Sequence, residues 1–485
     1  MYSQIEKNKS RREVLRYSIE LLTKSRGQSS ILNRDYVRNI ADYLNYSVQS
    51  YNNGSITNED YKVICDWENY HDQVVGSKSP DQLKVCYLSG PEPQNDFDEL
   101  LRLGVNPNNI WAFEKDKNTF EDAIKELKFG YREVPKLMNR SIEEFLVNTP
   151  MVFDIVYIDA CGSAFPSSKH TMRIISTLLK HHRLSALGVI ISNFSEPQVI
   201  EQNYIEYIAN YIVGRNDKLS NYKNMCYVDL LKEIEDNFSS YYGNYITRCL
   251  MDLSSFIVPT MRFCNSNYWN IITDSSPKDI VKGSNGKFSF NNTNTILNSY
   301  ELSKKYKAHG LWQKQLNELS GINPLKISII DSLKYYNLVK QDRSFLKQNI
   351  CDMYSDIEQK RILISYLDKI DPDVFTDIVF NQLSYPMHYN VNVSKRFSYI
   401  AKTNKMHLDI SVLDSCRYVY EWIPTIYFIQ KALSNNSWQK TIRFSLDGLS
   451  KNRMEYDDGY FYKSSVVSKN LEGFESKEVV DRIEL

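Results

Sequence analysis

The chain has 485 residues, 24% of them charged, and its 59 basic and 59 acidic side chains cancel. That length implies two or three folded units. The balance excludes a global positive field that would hold the chain on nucleic acid, so any such contact must come from a local patch. The amino terminus, MYSQIEKNKSRREVLR, has no apolar signal core. No stretch approaches the roughly 18 uninterrupted apolar residues of a membrane span, so a cytoplasmic protein is expected. The eight cysteines are scattered, with no C-x-x-C pair and no Cys/His cluster at zinc spacing, and no metal is expected.

The first eighty residues read as helices. Arg12 to Thr23 carries Val14, Leu15, Ile19, Leu21 and Leu22, and Arg34 to Tyr51 carries a stripe of Val37, Ile40, Ala41, Leu44 and Val48. Thr57-Asn58-Glu59-Asp60 has the spacing of a capping box that opens a third helix. Nothing chemical stands out in this region.

At Asp81 the pattern changes to short apolar runs alternating with amphipathic stretches. KVCYL (84–88) ends at Ser89-Gly90-Pro91, and a helix is expected from about Asn95 to Leu103. Ile110 to Phe113 ends in Glu114, and Asn118 to Lys128 is a second helix. A weak strand near Val134 to Met138 precedes a helix that begins at Ser141. FDIVYI (153–158) ends at Asp159, and helix Ser168 to His182 leads to strand Leu187 to Ile191. Such alternation predicts an α/β, Rossmann-like, doubly wound and mostly parallel sheet.

Glu201 to about Thr260 is helical again, and Tyr268 to Thr273 (YWNIIT) has the composition of a late strand of the same sheet. The expected organisation is an N-terminal helical region over 1–80 and a Rossmann-like domain over 81–275 with a helical insertion at 200–260. A mixed, mostly helical domain over 276–463 and a flexible tail over 464–485 complete it.

Ligands of an open α/β sheet bind outside the carboxyl ends of the strands. Here those ends carry Ser89-Gly90, Glu114, Ser141 and Asp159. A carboxylate at Glu114 suits the two hydroxyls of a ribose, each oxygen accepting one hydrogen bond; the alternative is a solvated strand end. Gly90 lets the backbone approach a ligand closely. Asp159 is either functional or the cap of the Ala160-Cys161-Gly162 turn. His181-His182 suits a helix carboxyl end, where a cation meets the dipole.

VCYLSGPEPQNDFDELLRLGVNPNNIWAFEKD resembles, in divergent form, the first two motifs of class I S-adenosylmethionine (SAM) methyltransferases. FDIVYIDACGSAF is similar to the family's fourth motif and LGVIISNF to its fifth strand. The resemblance spans about 120 residues and implies a seven-stranded sheet with one antiparallel strand, and SAM as cofactor. It implies that Ser89 and Gly90 line the methionine end, that Glu92 contacts the amino group and that Glu114 holds the ribose. Ser141 falls where the family places an adenine contact, and Asp159 faces the methyl donor or acceptor. The usual glycine-rich turn is replaced by Ser89-Gly90-Pro91-Glu92-Pro93, and Asp159-Ala160-Cys161-Gly162 departs from the Asp/Asn-Pro-Pro-Tyr/Phe and Pro-Cys signatures of base methylation.

A second region, Val393 to Lys405, combines Lys395, Arg396, Lys402 and Lys405 with Phe397 and Tyr399 and has no acidic residue. Basic groups interleaved with rings suit a nucleic-acid surface; a strand packing its rings inward yields the same alternation. Two functions follow as expectations. One is a SAM-dependent methyltransferase, with nucleic acid a candidate acceptor. The other is a catalytically degenerate methyltransferase-like binding or sensing module of a mobile-element or antiviral defence system.

Overall fold

The computed structural model describes residues 5–47, 56–127, 133–160, 162–165, 171–214, 226–283, 342–359, 372–401, 403–424, 434–452 and 479–485, with isolated positions 332, 335, 338, 339 and 428. Its centre is a mixed sheet. Strands β1 (Val85–Leu88), β2 (Ile110–Phe113), β3 (Lys136–Met138), β4 (Phe153–Asp159) and β5 (Leu184–Ser195) are mutually parallel, in the spatial order β3-β2-β1-β4-β5. Beyond β5 come β8 (Asn404–Asp414), β7 (Lys395–Ala401) and β9 (Ile483–Glu484), while β6 (His388–Tyr389) pairs with the far end of β8. Among the described strands β8 alone runs against the rest. The fold is Rossmann-like α/β, as the alternation of strands and helices predicts.

The central strands are continuous apolar runs because both faces of a parallel sheet are covered. Val85, Cys86, Ile155, Val156, Val189 and Ile190 are all fully buried. Between them run α5 (Gln94–Arg102), α6 (Lys117–Leu127), α7 (Ile142–Asn148) and α8 (Thr171–Lys180). Thr57 does form the expected capping box with Asp60, opening α4 (Asn58–Val75). Three shorter or earlier elements, α1 (Ile5–Leu22), α2 (Arg26–Ser29) and α3 (Tyr36–Ser47), precede it.

Three expectations are corrected. Tyr268 to Thr273 is not a strand; Trp269–Ile272 is a short helix. The turn is started by Ser266, whose hydroxyl accepts from the Tyr268 N–H at 3.1 Å, and Asn270 then donates back to the Asn267 carbonyl. Local side-chain hydrogen bonding of this kind overrides the strand bias of the aromatic and β-branched residues. The late strands come instead from 388–414, inside the region expected to be mostly helical. There β8 pairs with β5 from Leu187↔Asp414 to Ser195↔Met406 and turns back at Asn404 from β7. The very end of the chain, expected as loose tail, adds β9 to β7; residues 464–478 lie outside the described set.

Side chains join the amino-terminal helices to this late segment. Buried Asp414 accepts from the Ile31 N–H at 2.9 Å and from Tyr418 at 2.7 Å. Asn390 donates to the Ser29 and Ser30 carbonyls, and Lys440 reaches Asp60 at 2.6 Å. The Asn436–Asn452 helix comes so close to Leu32 and Tyr36 that a Cβ at Gly448 would lie 2.5 Å from Leu32 Cδ2. No helix among the described residues is long and apolar enough to cross a membrane.

Candidate functional site

The carboxyl edge of the sheet collects the residues that the sequence singled out. Ser89 follows β1 and donates its N–H to the Phe113 carbonyl at 3.1 Å, which places Ser89-Gly90 beside Glu114 at the end of β2. Gly90 adopts a left-handed φ of +60°, and nothing lies within 4 Å of where its Cβ would be. An open cradle at a position that only glycine adopts without strain is what close backbone approach to a ligand requires. Glu114 donates its N–H to the Met138 carbonyl at 3.1 Å, and Asn139 Nδ2 binds the Glu114 carbonyl at 3.0 Å. One carboxylate oxygen of Glu114 accepts from the Asp116 N–H at 2.8 Å; its other oxygen has no hydrogen bond among the described residues. Ser141, two residues past Asn139, is the first residue before α7, and its side chain makes no capping hydrogen bond. Glu92 is exposed, with its carboxylate held by Asn95 Nδ2 at 2.7 Å.

Asp159 ends β4 on the other side of β1. Asn193 of β5 donates to its Oδ1 at 2.8 Å and also to the Tyr399 hydroxyl at 2.7 Å. Its Oδ2 is 2.9 Å from Lys7 Nζ. Thus α1, which the sequence left without chemistry, lies over this part of the edge. One turn on, Arg11 Nε meets Asp96 Oδ1 at 2.7 Å, with the two side chains only 8% and 7% exposed. Lys7 and Arg11 are four residues apart and share one helix face. That pattern is the only signal the sequence offered, and it is also what a solvated face looks like. The candidate site is therefore a row: Ser141, Glu114, Ser89-Gly90 and Asp159, with Asp96 and Asn193 joining it and Lys7 and Arg11 above its β4 end.

Burial pushes Asp96 up to about 6, nearby Asp159 adding to the rise and Arg11 opposing it. The folded state thus keeps this proton to higher pH than the unfolded chain, whose Asp titrates near 4. The resulting stability is fully present below about pH 4 and is lost as pH rises through about 6, amounting to about 3 kcal/mol for a shift of this size. Denaturant unfolding from pH 4 to 7 is expected to show this downward trend in the wild type relative to Asp96→Asn. Parallel curves for the two proteins would remove Asp96 as its source.

Other expectations end differently. Arg396 is 3% exposed and donates to the Val480 carbonyl at 3.0 Å and to Asn244 Oδ1 at 2.7 Å. Residues 396–399 are all buried, and the Arg396 side chain is taken up by Val480 and Asn244, so Arg396 is not a phosphate contact. Lys395 Nζ sits 3.7 Å from the centre of the Tyr17 ring. Lys405 is half-buried, and Lys402 lies outside the described residues, as does Cys161. His181 and His182 are not helix-end cations. His181 is half-buried and His182 exposed, and partial desolvation together with Lys180, Arg183 and Arg262 pushes both imidazoles down, against the charged form.

Neither a protein-family model nor a curated protein matches the chain. Among solved structures it is similar to that of the putative methylase HI0767 from Haemophilus influenzae, at 15% identity and a TM-score of 0.20, over 30% of this chain and 76% of that one. A likeness at that score carries no argument about function.

Proposed function

We propose that the chain is a SAM-binding protein of the class I methyltransferase kind, with the cofactor over the carboxyl ends of β1, β2 and β4. The observation that carries the reading is the pairing of Glu114, one oxygen open, with the left-handed, uncrowded Gly90 on the adjoining strand. The sequence resemblance implied seven strands with one reversed; the sheet has nine, of which seven follow the order β3-β2-β1-β4-β5-β8-β7 with β8 reversed, and β6 and β9 are additional. Glu114 would hold the ribose hydroxyls, Ser89 and Gly90 the methionine end, and Ser141 would lie toward the base. Glu92, whose Oε2 also accepts from Asn95, would face the amino group. Bound SAM supplies an electrophilic methyl group. Asp159, oriented by Asn193, would position the acceptor or take its proton once Lys7, whose side chain is 35% exposed, swings aside.

A second reading is favoured by one specific feature: Lys7 and Arg11 already neutralise Asp159 and Asp96. In that reading the site binds the cofactor but transfers nothing, as in a sensing module. Methyl transfer from labelled SAM to RNA, DNA and protein of a lysate separates the two. The methyltransferase reading expects label in one class, falling at least about tenfold in Asp159→Ala with SAM affinity kept. Unlabelled products from a SAM-binding wild type would instead establish the binding-only module.

A further inference from the structure

The first turn of α1 brings a primary amine to the β4 end of the row. Lys7 Nζ lies 2.9 Å from Asp159 Oδ2, with the two side chains 35% and 12% exposed. The other oxygen of Asp159 accepts from Asn193, which also binds the Tyr399 hydroxyl, and both of these residues are buried in the sheet. The carboxylate is therefore fixed from below and meets the amine above.

The helix is fastened so that residue 7 faces this edge. One turn on, the buried pair of Arg11 and Asp96 ties α1 to α5. Ser10 is hydrogen-bonded to Tyr399 of β7, and further along Tyr17 donates its hydroxyl to the Val393 carbonyl at 2.9 Å. Lys9, only two residues from Lys7, is exposed.

Strand register shows what else is within reach. Tyr87 of β1 pairs with Tyr157 of β4, so Ser89 and Asp159, each two residues further on, face each other at roughly the 5 Å spacing of neighbouring strands. Lys7 Nζ thus stands beside the Ser89-Gly90 turn, on the side away from Glu114, because β2 and β4 flank β1. An outside acceptor has to displace Lys7 from Asp159. Lys7 itself already stands there, and a nucleophile held in place by the fold reacts without a bimolecular encounter.

We infer that Lys7 Nζ is itself a methyl acceptor, so that the chain modifies its own first helix. The inference rests on the SAM reading of the Gly90–Glu114 edge. Lys7 gives up a proton to Asp159, and from there to water. Its freed lone pair forms the new C–N bond, while the electron pair of the broken C–S bond leaves with the thioether, S-adenosylhomocysteine. Methylation keeps the positive charge of the amine, so the product still pairs with Asp159.

The test incubates the full chain with SAM carrying a trideuterated methyl group and reads the amino-terminal peptide by mass spectrometry. Label is expected on Lys7 and not on Lys9, at a rate independent of protein concentration and rising from about pH 7 to 9 as the amine loses its proton. A binding measurement stands beside it. Taking an ammonium away from the neighbourhood of a sulfonium favours SAM over S-adenosylhomocysteine, whose sulfur is neutral. In Lys7→Met the ratio of the two affinities, read by calorimetry, should rise about tenfold. Equal label on Lys9, a rate that grows with protein concentration, or an unchanged affinity ratio in Lys7→Met would each overturn the inference. So would an unlabelled Lys7 in a chain whose SAM binding depends on Glu114, a result that leaves the cofactor site standing. A chain that binds no SAM removes both.

Discussion

Glu114→Ala is expected to weaken SAM binding by about a hundredfold while the fold stays intact. Two charge-assisted hydrogen bonds to a diol, at about 1.5 kcal/mol each, account for a loss of that size. The structural cost is small because the side chain sits at a half-buried strand end and loses one local bond, to the Asp116 N–H. Glu114→Gln should fall between the two, keeping one acceptor and losing the charge. Unfolding curves that overlay while affinity collapses would separate ligand binding from stability.

Arg11→Ala is the second large effect, and it falls on stability. Arg11 and Asp96 are a nearly buried pair, and removing one member of such a pair costs about 3–5 kcal/mol, since the other is left charged in a poor solvent. The expected penalty is largest at pH 7. It shrinks toward pH 5, where Asp96, already pushed up to about 6 and rising further without Arg11, takes a proton and becomes neutral. Replacing both residues, Arg11→Met with Asp96→Leu, should recover most of the loss. A penalty independent of pH would show that Arg11 acts through packing and not through charge. Because Arg11 fastens α1 to α5, the single variant should also loosen Lys7 from Asp159.

These two effects divide along what the sequence shows and what it hides. Strands β1, β2 and β4 are legible because a strand buried on both faces is an unbroken apolar run, and the polar residue that ends it marks the sheet edge. Gly90, Glu114 and Asp159 are therefore visible as candidates, and the structure sets them in one row. Lys7 and Arg11 are invisible for the opposite reason: their partners lie far along the chain, Asp96 being 85 residues from Arg11. A basic i, i+4 pair has no local sign of whether it meets solvent or a carboxylate.

The same logic explains the late strands. Asn404 to Asp414 mixes His407, Asp409 and Asp414 with apolar residues and falls inside the domain expected to be mixed and mostly helical. In the fold those polar groups are buried and matched: His407 with Glu196 at 2.9 Å, Asp409 with Arg482 at 2.6 Å and with Thr247, and Asp414 with the Ile31 N–H. Arg396 misleads in the mirror sense, since its charge suggests a surface, whereas the side chain is buried against Asn244 and the Val480 carbonyl. Long-range pairing, not local propensity, decides each case.

The central claim is that the Gly90–Glu114 edge holds SAM, and titration of SAM and S-adenosylhomocysteine into the full-length protein by calorimetry tests it most directly. The account predicts saturable binding of both at one site, greatly weakened in Glu114→Ala. A wild type that gives neither heat nor thermal stabilisation up to millimolar ligand, or binding indifferent to Glu114, would contradict it.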